Sequence, residues 1–311
     1  MVKSFQVWIG IALLLTALVS FGCASAPAPS ISTQASASFQ IVDQLGRTVK
    51  LDKTPQRIIS LAPSNTEILY ALGLGNEIVG VTSYDNYPPE TKQKAIIGGF
   101  STTDIEKVVA LSPDLIVAAP IHQKEIIPQL ESRGLTVLGL NPVDVNGVSA
   151  AINLVGKVTG KAAAASTLVA QLNQRSKSVS DATANLSLSN KPRVFYVVWH
   201  DPLMTAGTST MIDDLITRAG GINIASDLSG YVNINLETVI QRNPQIILVI
   251  SSMGDSKSFD YIKSEPRFQS TDAIKNNQIY SLDSDIFGRT TPRIVDGLEQ
   301  MTKLIHPEIF K

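Results

Sequence analysis

Six aromatic side chains fall in predicted loops, just beyond a strand or just before the next helix. They are Tyr84, Tyr87, Phe100, Trp199, Tyr231 and Phe287. Aromatic faces in a cleft offer a flat ligand a large, rigid apolar area at little entropic cost. Asp285 and Arg289 flank Phe287 and can either bind the polar edges of such a ligand or pair with each other. The pattern favours binding of a planar molecule, although several of these rings can equally pack beneath loops.

Patterns typical of catalysis are missing from the sequence. No Gly-x-Ser-x-Gly elbow occurs, and the stretch Gly156–Ala162 is one residue short of a phosphate-binding loop and lacks its Ser or Thr. Gly73–Gly75 follows a predicted helix rather than a strand, so it marks a helix end and not a dinucleotide-binding turn. The three histidines, His122, His200 and His306, lack the spacing of metal ligands. The sequence therefore predicts a binding protein without a cofactor rather than an enzyme.

One pattern occurs twice along the chain. Asp104–Val109 and Asn235–Ile240 each begin with a helix-capping residue, place a Glu two residues later and continue with apolar positions. A Pro and then an apolar run typical of a buried strand follow in both cases. The repeat predicts two related α/β lobes, in which Glu106 and Glu237 occupy equivalent positions.

The segment Gly160–Ser189 is predicted to be one long helix between these lobes. Apolar residues recur in it at helical spacing, and Asn190 with Pro192 provides a stop. At about 1.5 Å per residue such a helix spans roughly 40 Å. A helix resists bending, so we expect a rigid connector, although an ordinary surface helix inside one domain would show the same pattern. The predicted architecture is two Rossmann-like α/β lobes joined by one long rigid helix, with the ligand cleft between them.

Local patterns place the remaining elements. In the first lobe, over residues 39–159, we predict a hairpin at 39–51, strands at 57–61, 78–81, 115–118 and 137–140, and helices at 64–73, 104–111 and 123–133. Ser64 and Glu67 have the spacing of a capping box at the start of the first helix. In the second lobe, over residues 190–311, we predict strands at 194–198, 246–250 and 279–282, and helices at 210–219, 236–242 and 292–305. In open α/β sheets, ligands bind beyond the carboxyl ends of the strands.

Composition agrees with two ordinary domains. The chain has 311 residues, of which 44% are hydrophobic and 17% charged, so a sizeable core can form. The formal net charge is -1 and the pI about 6.3. A nucleic-acid partner is not expected, because it would require a basic face.

The first residues are interpreted as an export signal. Lys3 precedes an apolar run from Val7 to Leu18 that is short for a membrane span, and small residues follow it. Residues 1–22 are therefore predicted to be a signal peptide. Cys23, the only cysteine, stands where a bacterial lipoprotein is cleaved and acylated; the alternative is a soluble exported protein that loses this Cys with its signal. Residues 23–38, rich in Ala, Ser and Pro, would then form a lipidated N-terminus and a disordered tether.

Five motifs resemble one family over nearly the whole mature chain. They are Arg57–Glu67, Gly80–Pro89, Gly98–Phe100, Val109–Leu115 and Thr291–Arg293. Together they are similar to the substrate-binding proteins of ABC importers for cobalamin and ferric siderophores, and Tyr84–Pro89 with Trp199–Gly207 is most like the cobalamin-binding branch. The resemblance implies a ligand held between two α/β lobes. It implies contacts to a corrinoid from Tyr84, Phe100, Trp199, Tyr231, Asp285 and Arg289, to which we add the neighbouring Tyr87, His200 and Phe287.

The same resemblance implies the partners. Glu106 and Glu237, one on each lobe, would meet arginines of the two permease subunits of an importer that also contains ATPase subunits, although a Glu in a first helical turn is stabilising by itself. The expected protein is an extracytoplasmic, lipid-anchored monomer that delivers cobalamin or another corrinoid. One alternative is a haem or ferric-siderophore protein, in which Tyr231 or His200 would ligate iron. A ligand-sensing receptor is another, and an enzyme of the nitrogenase-component type is disfavoured because the cluster-binding cysteines are missing.

Overall fold

The N-terminal half of the protein folds around a five-stranded parallel sheet. The computed structural model describes residues 39–251 and 256–309. A two-stranded antiparallel hairpin, β1 (Phe39–Val42) and β2 (Thr48–Leu51), comes first, as the sequence predicts. The sheet strands are β3 (Ile58–Ser60), β4 (Ile78–Val81), β5 (Ala95–Ile96), β6 (Leu115–Ala118) and β7 (Val137–Gly139), in the order β5-β4-β3-β6-β7.

Helices cover both faces of this sheet. They are α1 (Pro63–Ala71), α2 (Ile105–Ala110), α3 (Ile126–Glu131) and α4 (Val145–Val158). Every residue of β6 is buried, as expected for a parallel strand with helices on both sides. The carboxyl ends of the strands therefore share one edge of the lobe.

The connecting helix is real but shorter than predicted. Helix α5 (Ala162–Thr183) has 22 residues, about 33 Å of length at 1.5 Å per residue, so the predicted limits of 160 and 189 are wrong. Gly160 takes a positive φ of 71° that no helix permits, which delays the start. At the other end the Thr183 hydroxyl donates to the Arg218 carbonyl oxygen at 3.1 Å, and a short 3₁₀ turn (Leu188–Asn190) replaces the predicted last turns.

Helix α5 packs on both halves of the protein. Ala165 lies tightly against Gly156 of α4, where any added side chain would collide with it. Farther along, the Arg175 guanidinium binds Asp296 and Glu299 at 2.7 Å each, and both carboxylates belong to a C-terminal helix. One unbroken helix thus contacts both lobes.

The C-terminal half repeats the scheme with a four-stranded parallel sheet. Its elements are β8 (Arg193–Val197), β9 (Trp199–His200), β10 (Leu203–Ala206), α6 (Met211–Arg218), β11 (Ile222–Asn223), β12 (Tyr231–Asn233), α7 (Leu236–Arg242), β13 (Ile246–Ser251), α8 (Lys257–Ser264), α9 (Asp272–Lys275), β14 (Ile279–Asp283), α10 (Ser284–Phe287) and α11 (Ile294–Ile305). The parallel sheet has the order β11-β8-β13-β14. A separate antiparallel sheet, β12-β10-β9, was not predicted.

One local prediction is wrong in an informative way. Ser64 and Glu67 do not form a capping box, because α1 starts at Pro63 and no side chain caps it. The Glu67 carboxylate is buried and accepts hydrogen bonds from Arg289 and Arg293 of the other lobe instead. A residue that the pattern assigns to a helix end is therefore an interlobe contact.

Candidate functional site

A cleft of about 970 Å³ lies between the two lobes. Its walls are the loops that follow the carboxyl ends of the strands, where open α/β sheets place ligands. The lining residues are Ala62, Pro63, Ser64, Asn65, Tyr84, Phe100, Ser101, Ala119, Pro120, Leu140, Asn141, Pro142, Val143, Ser209, Thr210, Met211, Tyr231, Ile250, Ser284, Asp285, Gly288, Arg289 and Thr290. Both lobes contribute, so a ligand in this cleft would contact both.

Three of the predicted aromatic residues line the cleft. Tyr84 and Phe100 belong to the N-terminal lobe, and Tyr231 begins β12 of the C-terminal lobe. Tyr84 is 50% exposed and Tyr231 55% exposed, although desolvation still raises the pKa of Tyr231. Tyrosine rings from opposite lobes thus line the open cleft.

A buried histidine, not predicted as part of the site, supports Phe100. The backbone N–H of Ala119 donates to His122 Nδ1 at 3.0 Å, so Nδ1 carries no proton and Nε2 donates to the Phe100 carbonyl oxygen at 2.7 Å. The two rings meet edge to face with centroids 5.5 Å apart. Burial lowers the pKa of His122, which keeps the imidazole neutral. Spacing in the sequence offered no signal for this role.

The chain before Phe100 is tightly folded. Gly98 has a φ of 108°, which side-chain-bearing residues rarely adopt, and an added Cβ would collide with the Thr102 carbonyl oxygen. The Phe100 loop is therefore held from two directions, by this turn and by His122.

A buried carboxylate fixes the turn that carries Tyr84. Asp85 Oδ2 accepts from the Thr82 backbone N–H at 2.9 Å and from the Thr82 hydroxyl at 2.6 Å. Burial raises the pKa of Asp85. The turn points Tyr84 at the cleft and brings Asn86 against the other lobe, where Asn86 Nδ2 donates to Asp285 Oδ2 at 2.6 Å.

Asp285 and Arg289 line the cleft and also pair with each other. Arg289 Nη2 lies 2.6 Å from Asp285 Oδ1, and Arg289 Nη1 donates to Asn86 Oδ1 at 2.7 Å. The sequence left open whether these two residues bind ligand or pair, and the structure shows the pairing. Their contact to a ligand stays a prediction.

Four predicted contact residues are not among those that line the cleft. The Arg293 guanidinium lies over the Tyr87 ring, with Arg293 Cζ 4.1 Å from the ring centroid. The Trp199 and His200 rings are in contact, with centroids 4.7 Å apart and their planes inclined by 44°, and His200 Nδ1 lies 3.0 Å from the Ser258 hydroxyl. These three stay predictions as ligand contacts.

The prediction for the fourth of these residues, Phe287, is wrong. It is only 3% exposed and packs in the hydrophobic core, where Gly297 of α11 leaves room for its ring. As the last residue of the short helix α10, Phe287 turns inward while Asp285 faces the cleft.

The two equivalent glutamates lie on the protein surface. Glu106 stands in the first turn of α2, and its side chain is 84% exposed. The cap of this helix, Asp104, accepts a hydrogen bond from the Lys107 N–H at 3.1 Å. Glu237 stands in the first turn of α7 and is 66% exposed. Each glutamate pairs with a nearby arginine: Glu106 lies 3.6 Å from Arg133, and Glu237 lies 3.0 Å from Arg267. Exposed pairs of this kind contribute little to stability.

Two further properties bear on function. Within residues 39–251 and 256–309, no group of three or more His, Cys, Asp and Glu side chains is placed to hold a metal ion. In the same part of the chain, none of the helices combines the length and the apolar character needed to cross a bilayer. The predicted signal peptide, Cys23 and the tether lie outside the described residues.

Two α/β lobes around a loop-lined cleft define a solute-binding protein, and comparison with known proteins agrees. The chain belongs to the periplasmic binding protein family, which matches residues 58–286. It is 31% identical, over 100% of both chains, to an uncharacterised ABC transporter substrate-binding lipoprotein of Bacillus subtilis. The family resemblance seen in the sequence is thereby confirmed, and this family is one of solute-binding proteins rather than enzymes.

Solved structures confirm the two-lobed fold. The periplasmic vitamin B12-binding protein of Vibrio cholerae is 27% identical, with a TM-score of 0.71, and the match covers 83% of this chain and 99% of that one. A periplasmic haem-binding protein from a Roseiflexus species, in its apo form, is also 27% identical, with a TM-score of 0.72 and coverage of 82% and 99%. The two neighbours are equally similar, so the fold alone does not choose the ligand.

Proposed function

We propose that the protein captures cobalamin or another corrinoid between its lobes and delivers it to an ABC importer. The observation that carries this proposal is the cleft itself, about 970 Å³ with aromatic rings from both lobes and, among the residues that the structure describes, no His or Cys in its lining. That volume is at the upper end of the roughly 300–1,000 Å³ usual for small-molecule sites. A large, flat ligand gripped by its faces and held without a protein ligand to its metal suits such a cleft.

The vitamin B12-binding neighbour and the Tyr84–Pro89 motif support the corrinoid assignment. The cleft also offers polar groups for amide-bearing ligand edges, including Asn141 and Thr290. Amide and hydroxyl groups of this kind fix orientation while the apolar walls supply most of the contact area.

Haem or a ferric siderophore is the second candidate, favoured by the haem-binding neighbour. Tyr231 and Tyr84 are the phenols in the cleft lining that can ligate iron. Desolvation raises the pKa of Tyr231, which works against the phenolate form that ferric iron prefers. His200 is not part of that lining and lies 3.0 Å from Ser258.

Titration calorimetry with four ligands tests the choice. We expect cobalamin and cobinamide to bind, and haem and a ferric hydroxamate siderophore to bind at least a hundredfold more weakly. Absorption spectra recorded in parallel show whether a protein side chain ligates haem iron. Tight haem binding with an axial-ligand spectrum, together with no heat from cobalamin, would contradict the proposal.

Delivery requires a permease, and we assign docking to Glu106 and Glu237. Both are exposed, occupy first helical turns and stand at equivalent places in the two lobes, as a pair of identical or similar permease subunits requires. The B. subtilis relative is described as a lipoprotein, which supports an extracytoplasmic location with Cys23 as the lipid-anchored residue. A strain that lacks the permease distinguishes delivery from ligand sensing. Delivery predicts that cobalamin uptake is lost in this strain, whereas a receptor would still signal without the permease.

A further inference from the structure

A buried carboxylate of the N-terminal lobe is held by two arginines of the C-terminal lobe. Glu67 of α1 has a side chain only 2% exposed. Arg293 donates to both of its oxygens, from Nε to Oε2 at 2.7 Å and from Nη2 to Oε1 at 2.6 Å. Arg289 Nη1 adds a third hydrogen bond to Oε1 at 3.2 Å. A carboxylate buried without such partners would be strongly unfavourable, so these contacts tie the lobes together.

A second bridge lies beside the first. Asn86 of the N-terminal lobe donates to Asp285 Oδ2 at 2.6 Å and accepts from Arg289 Nη1 at 2.7 Å. Arg293 Nη2 also donates to the Asp285 backbone oxygen at 3.1 Å. We call Glu67, Asn86, Asp285, Arg289 and Arg293 the interlobe clasp. Its two carboxylates and two guanidinium groups balance in charge, and its cross-lobe bonds join residues 199–226 positions apart in sequence.

The clasp is continuous with the ligand cleft. Asp285 and Arg289 belong to the clasp and also line the cleft, whereas Glu67 and Arg293 do not line it. Arg289 Nη1 donates across the lobes to Glu67 and Asn86, and Nη2 pairs with the Asp285 carboxylate. The direction of the Arg289 guanidinium is therefore fixed before any ligand arrives. A side chain locked by its neighbours loses less entropy on binding.

We propose that Glu67 is a positioning residue of the ligand site, which orients Arg289 and, with Arg293, sets the separation of the lobes. A buried ion pair is weak evidence for stability, because its desolvation offsets much of its attraction. What this geometry does provide is one defined orientation of two lobes that otherwise meet across an open cleft. The effect on ligand affinity rests on the function proposed above, whereas the effect on the lobes does not.

The binding test is a double-mutant cycle measured by calorimetry with cobalamin. Glu67→Gln keeps the size of the side chain and removes its charge, and we expect it to weaken binding about tenfold. In an Arg289→Met background the same change should weaken binding less than it does in the wild type, because only the part of its effect that passes through Arg293 remains. Asp227→Asn is a control of the same charge change: it disrupts an exposed two-bond pair with Arg242, at 2.7 and 2.8 Å, away from the cleft lining. It should leave affinity unchanged.

The second arm needs no ligand. Hydrogen exchange of the empty protein should become faster in peptides 82–88 and 284–293 of Glu67→Gln and stay unchanged there in Asp227→Asn. If Glu67→Gln does not fold, Arg293→Lys keeps the charge, loses the two-bond geometry and should shift exchange in the same direction. Unchanged exchange in both peptides, or equal losses of affinity in the two Arg289 backgrounds, would overturn the proposal. A wild-type protein that binds no cobalamin would refute the proposed function alone, and the exchange result would then decide the clasp.

Discussion

Replacing His122 by Asn tests whether a buried histidine holds the Phe100 loop in its binding position. The Asn Oδ1 can take the place of Nδ1 and accept from the Ala119 N–H, which now lies 3.0 Å from that nitrogen. The bond from Nε2 to the Phe100 carbonyl, at 2.7 Å, is lost. An unpaired polar group in a buried place costs about 1–3 kcal/mol, and the lost edge-to-face ring contact adds about 0.5–1.5 kcal/mol. We expect a loss in unfolding free energy of about 1.5–4.5 kcal/mol.

The same contacts make ligand binding sensitive to acid. Burial lowers the pKa of His122 below its ordinary value of 6.5, so the unfolded chain binds the proton more readily than the folded one. The stabilisation from neutral His122 is therefore complete above pH 6.5 and is lost as pH falls below 6.5 through the lowered pKa of the folded protein. Cobalamin affinity of the wild type should fall over this acid range, and His122→Asn should remove that component.

His306 supplies the matched control for both measurements. It is also buried, and its ring nitrogens contact Glu308 at 2.9 Å and the Gly220 carbonyl at 3.2 Å, neither of which lines the cleft. Chemical denaturation should show that His306→Asn and His122→Asn both lose stability. Calorimetry should show a loss of affinity, about tenfold, in His122→Asn alone, as expected for about 1.4 kcal/mol. Equal cobalamin affinity in both variants at pH 7.5 would refute a role for His122 in the site.

Other substitutions test the remaining assignments. Tyr231→Ala should weaken cobalamin binding five- to fiftyfold with little change in stability, since the ring is 55% exposed at the cleft. Phe287→Ala should instead lower the free energy of unfolding by about 3–5 kcal/mol and leave the affinity of the folded protein intact, and thermal unfolding beside calorimetry separates the two. Reversing both surface charges in Glu106→Arg with Glu237→Arg should abolish uptake without changing ligand affinity, whereas a parallel loss of ligand binding would contradict the docking assignment.

Much of the fold could be predicted because buried parallel strands are continuous apolar runs. Leu115–Ala118 and Ile246–Ile250 are such runs, and both are strands of the observed sheets. Helices α2 and α7 were predicted from caps that do bind backbone N–H groups, Asp104 and Asn235. The β12-β10-β9 sheet escaped prediction because its strands have only two to four residues, too few to show a period.

The candidate site was predicted less completely, since its geometry depends on contacts between distant segments. Tyr84, Phe100 and Tyr231 line the cleft, which the rule about strand ends could anticipate. Glu67 satisfied a local capping pattern, yet its partner Arg293 lies 226 positions away. No local pattern carries that information, and the same holds for the buried imidazole behind Phe100.

The most direct test of the central assignment is hydrogen exchange of the protein with and without saturating cobalamin. A ligand gripped between the lobes should slow exchange in loops of both, in peptides covering residues 62–65 and 98–101 on one side and 209–211 and 284–290 on the other. Peptides of α5 (Ala162–Thr183), which contribute nothing to the cleft lining, should be unchanged. Protection confined to one lobe, or no protection in either, would contradict the account.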